Sequence, residues 1–195
     1  MSRPLSSSST RYIWSLSLRD LLVLALFADL AMLGKGLLRI PLHVPGHSGI
    51  VWVALFVVAR GLVDKKGAGL VLGLIAGVVA TVLGYGEIGP LEWTKYVAAG
   101  ALLEAVCLVV PGPLDGFAKA ALAGAAAHLG KLASMLFVSL ALRLPLGFAV
   151  LGLGVSAVTH LAFGLVGGLL GAVLLRALRR IPYFSASAPP QGDPQ

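Results

Sequence analysis

Long apolar runs constrain this chain more than any other feature. They cover about Leu18–Leu38, Ile50–Val63, Ala68–Leu83, Thr94–Val110 and Phe117–Leu142, and a sixth lies within Leu144–Leu178. A helix crossing a bilayer needs roughly 20 predominantly apolar residues. Only 12% of the 195 residues are charged, where a soluble domain carries about 25%. The fold class expected is all-α: a polytopic membrane protein built as one bundle of six transmembrane helices.

The breaks between runs are short. Pro41 stops the first run, and Pro111-Gly112-Pro113-Leu114-Asp115-Gly116 is a tight turn of helix breakers. Leu144–Leu178 is long for one span and short for two, so a coil or break at Gly147–Gly154 is expected, followed by helix to Arg179. Residues 1–17 are Ser-rich and basic and read as a disordered or interfacial tail. Residues 18–180 form the transmembrane domain, and 181–195 are a second unstructured tail. Arg3, Arg11 and Arg19 ahead of an apolar run imitate a signal peptide. With no small-x-small cleavage site after that run, an uncleaved first span is expected.

The net charge of +7 does not imply a nucleic-acid partner, because the basic residues sit at run ends. In a membrane protein that pattern reports topology. With six spans and both termini cytoplasmic, the inner side takes Arg3, Arg11, Arg19, Arg60, Lys65, Lys66, Lys119, Arg176, Arg179 and Arg180. The outer side takes Lys35, Arg39, Lys95 and Arg143. Cys107, the single cysteine, reads as a small buried hydrophobe.

Three groups of residues can carry chemistry. Pro41-Leu42-His43-Val44-Pro45-Gly46-His47-Ser48-Gly49 interrupts the apolar pattern on the outer side, with Ser48 placed to cap the second span. Asp29, Glu104, His128 and His160 fall near mid-depth of their spans, where ionisable groups face a cavity or one another. Glu104 with Lys131 is a candidate ion pair. Trp52, Trp93 and Tyr96, near Glu87, Glu92 and Lys95, read either as an interfacial aromatic belt or as stacking surfaces for a heteroaromatic ligand. The candidate ligand-binding set is therefore His43, His47, Ser48, Trp52, Glu92, Trp93, Lys95, Tyr96, Glu104, His128, Lys131 and His160. A metal reading would rest on His43 and His47 plus further donors. Neither a metal nor a cofactor is the favoured expectation.

Glycines and alanines recur at helix-packing spacing: Gly69, Gly73 and Gly77; Gly164 and Gly168; Gly167 and Gly171; Ala121 and Ala125. No Gly-x-Ser-x-Gly, His-Glu-x-x-His or Walker loop occurs, so an enzyme is not expected.

Six spans, a polar first outer loop at Pro41–Gly49 leading into Ile50-Val51-Trp52, and small-residue helix faces resemble the substrate-binding membrane subunit, or S component, of energy-coupling factor (ECF) transporters. The resemblance covers roughly residues 18–180. It implies capture of a vitamin-like small molecule from outside, with outer loops closing over it. It also implies docking through the first helices on a transmembrane coupling subunit that carries two cytoplasmic ATPases, toppling in the membrane to release substrate, and residence in a prokaryotic cell membrane. Where the family often shows Ala-x-x-x-Ala on its first span, this chain has Ala25, Ala28 and Ala31, spaced by three, then Gly34 as its docking stripe. It begins Met-Ser-Arg rather than the Met-His-Ile of the metal-binding branch. The alternatives are a transition-metal permease using His43 and His47, and a membrane structural or assembly protein without ligand.

Overall fold

Hydrocarbon offers the backbone no hydrogen-bonding partner, so an apolar chain of this kind satisfies its amides within helices. The computed structural model describes residues 16–37, 46–84, 89–143 and 146–181, with the side chains of 146–153 and 155 left aside. His43, Glu87 and most of both tails lie outside the described residues. Among the described residues there are six α-helices: α1 Leu18–Leu37, α2 Gly49–Leu62, α3 Ala68–Val82, α4 Trp93–Val109, α5 Phe117–Ala141 and α6 Leu146–Arg179. A short 3-10 turn, Gly89–Leu91, leads into α4.

The expected break at Gly147–Gly154 is absent; α6 runs unbroken from Leu146 to Arg179. Each glycine costs a helix about 1 kcal/mol relative to alanine. Unpaired backbone groups in an apolar setting cost several times more, so the helix persists.

The helices close a ring in which α1 packs on α2 and α3, α3 on α4, α4 on α5, α5 on α6 and α6 on α2, and α2 also reaches α5 and α3. The small-residue stripes are the reason the helices approach so closely. A Cβ on Gly73 would overlap the Tyr96 carbonyl, and one on Gly100 the Gly69 carbonyl. The same contact recurs between Gly124 of α5 and Gly164 and Gly168 of α6.

Two helical segments, Phe117–Ala141 and Ser156–Arg179, are long and apolar enough to cross a membrane. Large apolar side chains point outward from several helices, including Leu26, Leu74, Val78, Leu108, Phe137, Val158 and Val173.

The two ends of the bundle differ. At the end where α2 gives way to α3, Arg60 Nε donates to Glu104 Oε2 at 2.7 Å. Glu104 also accepts from the backbone N–H of Gly67 (2.8 Å) and Gly69 (2.9 Å), which places its carboxylate at the N-terminus of α3. A negative charge there meets the free amides and the favourable end of the helix dipole. Lys65 pairs with Asp20 of α1, and Arg179 of α6 bonds both Asp115 and the Gly61 carbonyl. The other end is closed by a turn, Gly46–Ser48.

Candidate functional site

The turn ahead of α2 lies directly on two imidazoles. Gly49 N–H donates to the Gly46 carbonyl at 2.8 Å, and Gly46 holds a φ of +86°, which glycine adopts without strain. A Cβ on Gly46 would come within 3.1 Å of His160 Nδ1 and 3.2 Å of His128 Cε1. One on Gly49 would overlap His128 Nε2. Both positions bring bare backbone onto the rings. Ser48 does not cap α2. Its φ/ψ of −64°/−9° is already helical, so its hydroxyl cannot turn back onto the first free amides, and no side-chain cap bond forms.

Beneath the turn a row of polar and aromatic side chains crosses the bundle. The rings of His128 (α5) and His160 (α6) stack at 4.5 Å with 25° between their planes. His128 Nδ1 lies 2.7 Å from the His160 carbonyl. A carbonyl only accepts, so Nδ1 carries the proton and Nε2 is left with a lone pair. His160 Nδ1 in turn donates to the Ser156 carbonyl at 2.7 Å. Trp52 of α2 sits 5.4 Å from the His128 ring and meets Tyr96 edge-on at 5.9 Å. Lys35, at the end of α1, donates to the Tyr96 hydroxyl at 2.7 Å and lies 3.6 Å from Glu92. Lys95 Nζ is 2.9 Å from the other Glu92 oxygen.

Every ring and charge in this row except Lys35 and His160 is at most 1% exposed. Burying a polar group without a hydrogen bond costs roughly 1–3 kcal/mol. Yet among the described residues Trp52 Nε1, His128 Nε2 and both Glu92 oxygens make no hydrogen bond, although Lys95 and Lys35 lie 2.9 and 3.6 Å from the Glu92 oxygens. The site thus offers one free donor, one free acceptor and a carboxylate between two ammonium groups. A small polar molecule could complete these hydrogen bonds.

Six of the sequence candidates meet here: Trp52, Glu92, Lys95, Tyr96, His128 and His160. His47 and Ser48 belong to the turn above them. Trp52 and Tyr96 are wholly buried, which removes them from an interfacial belt. Three expectations change. Trp93 is exposed and turned away from the row, because successive residues of α4 point to different faces. Glu104 belongs to the opposite end of the bundle and pairs with Arg60. Gly130 packs on Ala98, so Lys131 lies about 9 Å along α4 from Glu104, and the two do not pair. Lys131 is half-buried and within electrostatic reach of His128.

Asp29 is exposed on α1 and does not face the row. Ala28 and Ala31 are fully buried against the bundle, and Gly34 approaches Val51, so the small-residue stripe of α1 is turned inward. Among the described residues no three His, Cys, Asp or Glu side chains are grouped to hold a metal. Lys35, Gly46 and Gly49 were not among the candidates. A lysine in the last turn of a span and two glycines in a proline-broken loop were the signals for them.

No family model matches the chain, and no curated protein does. A solved structure, described as the crystal structure of an S-component of an ECF transporter, matches with a TM-score of 0.64. The match covers 89% of this chain and 91% of that one at 22% sequence identity. The chain therefore has the S-component fold.

Proposed function

We propose that this chain is the membrane-embedded, substrate-binding subunit of an ECF-type importer and that the row from Lys35 to His160 is its ligand site. The observation that carries the reading is the set of buried, unmatched polar atoms under the Gly46–Ser48 turn. Such atoms are expensive unless something completes their hydrogen bonds. The outward-facing apolar side chains support lipid around the bundle. The excess of basic residues at one set of run ends supports cytoplasmic termini, with the glycine turn outside.

The atoms define the ligand by complement. Trp52 Nε1–H takes an acceptor, and His128 Nε2 takes a donor. An amide, ureide or lactam edge supplies both, and a vitamin-like heterocycle carries such an edge. Glu92 with Lys35 and Lys95 suits an ionic or zwitterionic tail. The chain binds and does not catalyse; the energy for import comes from a coupling subunit with two ATPases.

The test is purification from membranes in mild detergent, followed by native mass spectrometry and identification of what dissociates. One small molecule retained in stoichiometric amount, and a melting temperature that falls when it is removed, are expected. A chain that carries no small molecule, and whose melting temperature responds to no compound in a panel of water-soluble vitamins, would defeat the reading.

A further inference from the structure

Where α5 begins and α6 ends, the basic side chains are not equally matched. Arg179 takes the Asp115 carboxylate at 2.6 Å and the Gly61 carbonyl at 2.8 Å. Lys119 donates to the Gly112 and Cys107 carbonyls. Arg176 is left with the main-chain carbonyl of Asp115, to which its Nε donates at 2.9 Å. Its guanidinium lies on the Phe117 ring, 4.0 Å from the centroid, a cation–π contact that holds it in place. Among the described residues its two terminal nitrogens make no hydrogen bond and no carboxylate pairs with it. Arg180 is exposed, and its side chain makes no hydrogen bond or ion pair among the described residues. One anchored guanidinium fork and one freely solvated guanidinium thus stand a helical turn apart, their charge uncompensated.

The same face of α6 continues as hydrocarbon. Val166, Leu169, Val173, Arg176 and Arg180 follow one another at intervals of three and four, so they form one row, and all five are exposed. Phe117, also exposed, flanks the row at Arg176. This row belongs to Ser156–Arg179, which with Phe117–Ala141 is long and apolar enough to cross a membrane. Arg176 stands about 30 Å beyond Ser156 by the rise of 1.5 Å per residue, which is about the thickness of the hydrocarbon core. The arginines therefore fall at headgroup level and the apolar row at acyl-chain level.

We propose that Arg176, Arg180 and the Phe117 ring hold one anionic phospholipid, with its phosphate on the two guanidinium groups and an acyl chain along Val173, Leu169 and Val166. Two parts of the surface decide the occupant together. The open fork of Arg176 suits two oxygens of one phosphate, which a guanidinium grips bidentately. A zwitterionic lipid would bring its own ammonium group up to two uncompensated cations, so the favoured headgroup carries net negative charge. A soluble phosphate or an acidic peptide would answer the arginines but leave the apolar row beneath them uncovered. The inference rests on the membrane placement of α5 and α6, and not on the ligand site at the other end of the bundle.

The experiment delipidates the purified full chain in mild detergent and titrates it with dioleoylphosphatidylglycerol or dioleoylphosphatidylcholine, which share acyl chains and differ in charge. Native mass spectrometry counts the lipids retained. One phosphatidylglycerol should be held at about tenfold lower concentration than phosphatidylcholine. Arg176→Gln and Arg180→Gln should each weaken its retention about fivefold, the scale of one basic side chain at an anionic surface, and leave phosphatidylcholine unmoved. Arg180→Gln breaks no contact within the bundle, so its effect is not one of folding. Lys66→Gln removes an exposed cation at the α2–α3 turn and should change nothing. Glycerol 3-phosphate, a headgroup without chains, should not displace the lipid at matched concentration. Equal retention of the two lipids, parent-like retention in both arginine variants, an equal loss in Lys66→Gln, or displacement by glycerol 3-phosphate would each overturn the proposal. Small-molecule retention should stay at the parent level in both arginine variants, so the lipid site and the ligand site can fail separately.

Discussion

His128 lies flat against His160 and gives its one ring proton to that residue's own carbonyl. The bond fixes the tautomer and leaves Nε2 as an acceptor under the glycine turn. Replacing His128 by phenylalanine keeps a ring for Trp52 and His160 to pack on but removes that acceptor. Trp52→Phe likewise removes the free donor. Each should weaken ligand binding by about 1–3 kcal/mol, roughly 10- to 100-fold in Kd, with the helical circular dichroism unchanged. Calorimetric titration of the compound that dissociates from the purified chain measures it. Parent-like affinity in both variants would remove the pair from the site.

The glycine turn tolerates no added carbon. A methyl group at Gly49 overlaps His128 Nε2, so Gly49→Ala must displace either the ring or the turn. Overpacking of this kind costs about 1–3 kcal/mol and lowers the melting temperature by roughly 2–4 °C per kcal/mol. Ligand retention should fall with it. Gly154→Ala is the contrast, since a Cβ there meets nothing within 4 Å and the residue is helical. It should raise stability by about 0.5–1 kcal/mol and leave ligand retention alone. Thermal unfolding of the two variants side by side tests the difference.

At the opposite end, Arg60 and Glu104 are both at least 95% buried and depend on each other. Arg60→Met leaves a lone carboxylate in the interior and should cost about 3–5 kcal/mol. Arg60→Met with Glu104→Met should cost less than Arg60→Met alone. It should not return to the parent value, because the Gly67 and Gly69 amides lose their acceptor. Glu104→Gln keeps an acceptor oxygen and should fall between parent and Arg60→Met. Melting temperatures of the four proteins in one detergent form the comparison, and a double variant less stable than Arg60→Met would contradict it.

The helix bounds were legible because apolar length and breaker residues act locally. Pro111–Gly116 and Phe117 mark the α4–α5 turn in the sequence as they do in the bundle. The Gly69, Gly73 and Gly77 spacing was legible as packing for the same reason. Glu104 was not. Its partners lie 35 to 44 residues away, and mid-span in its own helix is level with the α2–α3 turn, because α2 and α3 are short. Trp52 misled in the other direction. First-turn residues of a span face headgroups unless something covers them, and here Trp52 packs on Phe56, Tyr96 and His128 and is wholly buried. The α6 break failed because glycine propensity is a weak force beside the backbone's need for partners.

If the chain binds cargo as proposed, the stapled end bears on how that cargo travels. Asp20 with Lys65, Glu104 with Arg60 and Asp115 with Arg179 tie α1, α4 and α6 to the segments around the α2–α3 and α4–α5 connections. Passage through that end would break charge pairs, one of them, Arg60 with Glu104, almost wholly shielded from water. Passage past the glycine turn only lifts backbone off two rings. Among the described residues the bundle is thus riveted at one end and covered by bare backbone at the other. If the chain binds cargo as proposed, cargo admitted past the glycine turn has its easier way out past the same turn.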